Sequence, residues 1–184
     1  MSMVSSAFLK VTAYELKEYY KNADELVQLI IQCAGVAAAA DAAGSLIPAI
    51  SVPATIIGCV GSVWAMYGLM CKKLEIPLNN NILKLLARAA VSNIAANLGG
   101  ALISMVVAMC VPGASVAASA AVSFITVYLA GYVFMKLVLG LAKSGKVAED
   151  IAGMNSDELK QAMKDEKVTK ADMDAAKDAF KENR

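Results

Sequence analysis

From Ala89 to Met135 the chain reads AAVSNIAANLGGALISMVVAMCVPGASVAASAAVSFITVYLAGYVFM, 47 residues without one ionisable side chain. A transmembrane helix takes about 20 mostly apolar residues. The stretch therefore holds material for two, parted where Pro112 and Gly113 supply turn chemistry. A second clean run, Ala42 to Cys71, covers 30 residues and contains GSLIPAISVP, with Pro48 and Pro53. Between Leu26 and Ala142 there are only seven charges: Asp41, Lys72, Lys73, Glu75, Lys84, Arg88 and Lys136. Residues 1–25 carry seven more and residues 143–184 nineteen, so the charge sits in tails around an apolar middle. A hydrophobic content of 58% lies above the roughly 45–50% of soluble domains.

These patterns predict an all-α protein: a polytopic membrane helical bundle with four spans, at about 26–43, 52–71, 89–111 and 115–137. The spans form two helical hairpins with uncharged tips, GSLIPAISVP and VPGAS, joined through the charged loop KKLEIPLNN. Residues 1–25 form an amphipathic N-terminal helix, 26–142 the membrane domain, and 143–184 a charged cytoplasmic helical hairpin. Orientation follows from Lys and Arg beside the spans. Lys10, Lys17, Lys21, Lys72, Lys73, Lys84, Arg88, Lys136, Lys143 and Lys146 all fall on one side, and neither tip has any. The expectation is a multi-pass protein of the inner (plasma) membrane with both termini cytoplasmic. Met1 to Asn22 has no apolar core with a cleavage site, so the internal spans would drive insertion.

The first span is the weakest, because Gln28, Gln32 and Asp41 offset its aliphatic residues. Ahead of it, Leu9, Ala13, Leu16 and Tyr20 share a face opposite Lys10, Lys17 and Lys21. That helix reads either as a membrane-surface helix or as a lead-in packed on the rest. In the tail, Asn155 stands three residues before Glu158, and Thr169 three before Asp172. This is the capping-box spacing that satisfies free backbone donors at a helix start. Leu159 and Met163, then Met173 and Phe180, give the two tail helices apolar stripes that are candidate partner-docking residues. The tail hinges from the membrane block near Gly145 to Gly153.

Chemistry is sparse. With no histidine in the chain, the commonest general base and metal ligand is missing. Neither a GxxxxGK[ST] loop, a GxSxG elbow nor an HExxH occurs. Cys33, Cys59, Cys71 and Cys110 are scattered in apolar surroundings and read as buried thiols. The chain reads as a non-enzyme without cofactor or metal. It has no basic, aromatic-rich patch for nucleic acid.

Polar groups inside a membrane are functional candidates because lipid cannot solvate them. They are Asp41, Asn93, Asn97, Ser104 and Thr126. For the Asn93, Asn97 and Ser104 stripe the alternatives are the lining of a solute path or hydrogen bonds between helices. Asp41 reads either as a residue near the far interface, reaching water or capping the GSLIP turn, or as a proton- or cation-binding carboxylate. Lys72, Lys73, Lys84 and Arg88 are the candidate interface basics, snorkelling toward headgroups. Small-xxx-small pairs (Gly35 and Ala39, Gly61 and Ala65, Ala96 and Gly100, Ala117 and Ala121) suit tight packing in lipid and homo-oligomers.

The segments SLIPAISVPATIIGCVGSVWAMYGLMCKKLEIPLNNN and VPGASVAASAAVSFITVYLAGYVFMKLV, each a proline tip followed by a helix carrying tyrosine and glycine, resemble the bacterial YcjF-like family of GTPase-associated membrane domains. The resemblance covers about residues 41–142. It implies a helical membrane module working beside a small GTPase, with no catalytic residues to carry over. The chain lacks a GTPase domain of its own, so a separate partner would supply it. The expected function is a non-enzymatic membrane anchor or membrane-remodelling partner of a cytoplasmic protein. The alternatives are an oligomeric pore and a soluble helical bundle that inserts into membranes.

Overall fold

The computed structural model describes residues 7–44, 59–109 and 115–183, the backbone alone at 43–44, 97–109 and 115–118. Eight helices and no strand occur among the described residues. They are α1 (Ala7–Leu16), α2 (Glu25–Gly44), α3 (Val60–Leu74), α4 (Asn80–Met109), α5 (Ser115–Lys143), α6 (Ala148–Gly153), α7 (Ser156–Asp165) and α8 (Lys170–Glu182). The all-helical expectation is met. Both hairpin tips fall largely or wholly outside the described residues, as does the start of the second span.

Helix ends follow local chemistry. The amphipathic segment expected over residues 6–25 is cut at Leu16, and residues 17–24 run as successive turns. The third span starts nine residues earlier than its apolar run, at Asn80. There the Asn79 side chain accepts from the Asn81 and Ile82 backbone N–H groups, both at 3.0 Å, and caps the orphan donors. In the tail both capping boxes form as the sequence predicts. Asn155 accepts from the Asp157 and Glu158 N–H groups, and Thr169 from that of Asp172. The short α6, which precedes both within the expected hinge, was not anticipated.

The helix α5 is the core. It packs against α1, α2, α3, α4, α7 and α8, and most of its apolar stretch 119–143 is buried. An all-round apolar helix has no polar face to turn to water, so it must be surrounded by something. Here its neighbours are other helices. They offer one stripe each: Leu26, Ile30 and Ala34 from α2, Val63, Met66 and Tyr67 from α3, and Leu86, Ala90 and Ile94 from α4. Tyr67 stacks on Phe134 with ring centroids 4.5 Å apart and donates its hydroxyl to the Ala130 carbonyl at 2.9 Å.

Of the described glycines the most tightly packed is Gly131, where α2 crosses α5. A methyl group there would stand 2.6 Å from Ile30 Cγ1. Of the small residues marked in the sequence, Gly35 and Gly61 have open space beside them. Ala39, Ala65 and Ala96 are exposed. Ala121 is buried in α5.

Two of the helices, α2 over Glu25–Ala42 and α5 over Ser119–Lys143, are long and apolar enough to cross a membrane by length and composition.

Candidate functional site

The pairings along α5 fix a common axis for the bundle. Against α5, α2 runs antiparallel, with Ile30 beside Gly131 and Asp41 beside Ser123. By contrast α3 runs parallel, with Cys59 beside Ser123 and Tyr67 beside Ala130. One end, the base, gathers the turns at 17–24, the 75–79 loop and the end of α5. The opposite end is reached by the end of α2 and the start of α5.

The base is held by ion pairs. Lys17 bridges Asp24 at 2.7 Å, and Lys73 pairs with Glu25 and Lys143 with Glu15. Such exposed pairs are screened by water and salt, so they fix geometry more than stability. Two of the candidate basic residues thus have partners on the protein. Lys73 meets Glu25, and the Lys84 ammonium lies 4.8 Å from the Trp64 ring centroid, a cation–π contact. Lys72 and Arg88 are exposed. Exposed Tyr19 and Val147 line a groove of about 450 Å³ at the base, together with Leu74, Glu75 and Glu149.

At the other end Asp41 marks the last charge on α2. The Ser123 hydroxyl donates to its carboxylate, and the Cys59 thiol donates to Ser123 Oγ at 3.5 Å. The three groups join α2, the start of α3 and α5. Asp41 was foreseen; Ser123 and Cys59 were not. Nothing in their local sequence marks them, because the antiparallel register of α2 on α5 brings them to it.

The tail wraps α4 and α5. Leu159, Met163, Met173 and Phe180, expected as docking residues, are buried within the chain. The Phe180 ring lies 5.4 Å from that of Phe124. Two polar clasps hold the end of α7. Asn93 donates to the Glu166 carbonyl at 2.9 Å and to that of Met163 at 3.3 Å. Lys136 bridges Glu166 at 3.0 Å and donates to the Lys167 carbonyl at 3.2 Å. Asn93 therefore caps the last carbonyls of a tail helix. Thr126 is fully buried in α5, and its hydroxyl has no hydrogen-bond partner among the described residues. No hydrogen bond joins Asn93 to Thr126. The side chains of Asn97 and Ser104 lie outside the described residues.

Distances along α5, at 1.5 Å per residue, measure the charge-free end. Phe124, beside Phe180 near the end of α8, is nine residues or about 14 Å from Ser115. Ser123, beside Asp41, is about 12 Å from it. Among the described residues, no group of three or more His, Cys, Asp or Glu side chains could hold a metal ion. Compared with family models, curated proteins and solved structures, the chain matches none.

Proposed function

We propose that this is a non-enzymatic membrane anchor, which dips the charge-free end of its bundle into the cytoplasmic leaflet and presents its charged base to a cytoplasmic protein. One observation carries the reading: α7 and α8, with fourteen charged residues from Asp157 to Glu182, lie along α4 and α5 and leave only about 14 Å of α5 beyond Phe124. The hydrocarbon core is about 30 Å thick. Four full crossings with the tail docked would draw Asp41 and the end of α8 into hydrocarbon, at about 2.5–3.5 kcal/mol per buried charge near the midplane. A depth near 14 Å matches one leaflet instead, about 15 Å. The partner meets the base, where Tyr19 and Val147 are exposed, since the tail stripes are occupied. The resemblance to GTPase-associated membrane domains makes a small GTPase the first partner to try.

A cysteine placed at Gly113, with Cys33, Cys59, Cys71 and Cys110 replaced by alanine, tests the depth. In sealed vesicles the protein resists alkaline extraction, and position 113 escapes membrane-impermeant maleimide from both faces until detergent is added. Labelling from the far face would establish crossing spans and overturn the dip. Retention of a cytoplasmic protein that is lost in Tyr19→Ala/Val147→Asp tests the base.

A second reading is favoured by the burial of α5 on all sides, as in the core of a soluble bundle. In that case α7 and α8 are a cover that must leave before α5 inserts. Recovery of the whole protein in the detergent-free supernatant, with position 113 freely labelled, would select it.

A further inference from the structure

We infer that the outward face of α1 is a second membrane contact, an interfacial belt that rests in the headgroup layer of an anionic leaflet; this rests on the charge-free end being the end that enters the bilayer. The inner face of α1, Leu9, Thr12, Ala13 and Leu16, is buried in the bundle. An ordinary packed helix would then show polar residues outside. This one shows Phe8, Val11 and Tyr14, which are 43%, 59% and 76% exposed. Beside Tyr14, Lys10 and Lys17 rim a groove of about 400 Å³ floored by Ala13 of α1 and Val27 of α2. Lys17 is engaged by Asp24, whereas Lys10 makes no ion pair among the described residues. Aromatic rings with lysine beside them are the composition of the membrane–water interface.

The position of α1 supplies the independent argument. Glu15 meets Lys143 and the Thr12 side chain lies beside the Tyr132 hydroxyl, so α1 runs parallel to α5 with its start toward the charge-free end. From Tyr132 to Ser115 is 17 residues, about 26 Å, and Phe8 stands about 6 Å above Thr12. Phe8 therefore lies about 20 Å below the first turn of α5. A leaflet has about 15 Å of hydrocarbon and a further 5–7 Å of headgroup zone. With the tip at mid-bilayer, the outward face of α1 falls in that zone.

The test uses the full chain carrying Trp64→Phe and Tyr14→Trp, so that position 14 holds its sole tryptophan, reconstituted in vesicles of zwitterionic and anionic phospholipid. Emission shifts to the blue, and lipids brominated near the headgroup end of the acyl chain quench it more than lipids brominated deeper. Lys10→Gln weakens partition about fivefold on anionic vesicles, the effect of one lysine at such a surface, and leaves zwitterionic vesicles unchanged. A water-like, unquenched tryptophan at position 14, with position 113 still protected, would overturn the belt and leave the anchor standing. Labelling of position 113 overturns the anchor itself. A blue shift that appears without lipid and tracks protein concentration would assign the face to a second copy of the chain.

Discussion

Replacing Gly131 with alanine probes the crossing on which the bundle closes. The added methyl would lie 2.6 Å from Ile30 Cγ1 and 2.9 Å from both Cδ1 and Cγ2. Carbon atoms are comfortable at about 3.5–4.0 Å, so three atoms overlap by roughly 0.6–1.4 Å. Two of them branch directly from Ile30 Cβ, and turning χ1 to free one drives the other inward. Ile30 is fully buried, so it has no solvent to move into. Overpacking of this kind costs about 1–3 kcal/mol. With three atoms inside 3.0 Å the cost lies in the upper part of that range, about 2–3 kcal/mol, and alanine returns up to about 1 kcal/mol as the better helix former, which leaves a net loss of about 1–2 kcal/mol. At about 2–4 °C per kcal/mol for a chain of this size, Tm falls by roughly 2–8 °C in a circular-dichroism melt at 222 nm. The second half of the experiment is Ile30→Ala, alone and combined. Alone it opens a cavity worth about 2–5 kcal/mol; with Gly131→Ala the new methyl fills part of that space. The pair is then less destabilised than the sum by about 1 kcal/mol or more, beyond the roughly 0.3–0.5 kcal/mol scatter of independent sites. An alanine variant at least as stable as the parent, or strict additivity, would refute the contact between α2 and α5.

Other outcomes follow from single contacts. Asn93→Ala removes two hydrogen bonds to the end of α7 and loosens the tail by about 1–3 kcal/mol, read as faster deuterium uptake over 156–166 with α3 unchanged. Thr169→Ala deletes the α8 cap and costs about 1 kcal/mol, again confined to the tail in hydrogen exchange. Tyr67→Phe loses the bond to the Ala130 carbonyl but keeps the stack on Phe134, for a loss of about 0.5–1.5 kcal/mol by urea denaturation. The Lys17 ammonium, hydrogen-bonded to Asp24, holds that carboxyl below its usual range. Its contribution is present above the unfolded pKa and fades as pH falls through the lower, folded value. Lys17→Met should return the Asp24 titration, followed by NMR, toward the ordinary range, and an unmoved midpoint would dismiss the pairing.

Much of the helix plan was legible because it depends on local chemistry. Asn155 and Thr169 announced their helix starts three residues ahead, and the uncharged runs could satisfy their backbone only as helices. Contact between helices was less legible. The pairs Gly35/Ala39 and Gly61/Ala65 matched a packing pattern, yet the close approach is at Gly131, chosen by where Ile30 lands when α2 folds back on α5. Met163 and Phe180 read as a free stripe because amphipathicity says only that a face needs cover. It does not say whether the cover belongs to another molecule or to α4 and α5 of the same chain. For Asn93 the sequence left two alternatives open, a solute path or a hydrogen bond between helices; only the fold sets the carbonyls at the end of the distant α7 against it.

The burial of α5 also has a consequence in time. Ribosomes add about 5–20 residues per second, and 39 residues separate Lys143 from Glu182. For about 2–8 s after its last residue is joined, α5 therefore waits for the two helices that complete its cover. During that interval the nascent α4–α5 hairpin is among the most apolar surfaces the growing chain offers, and a bilayer beside the ribosome can engage it before α8 exists. On the proposed anchor reading, the order of synthesis gives lipid the first claim on this hairpin and the tail the second.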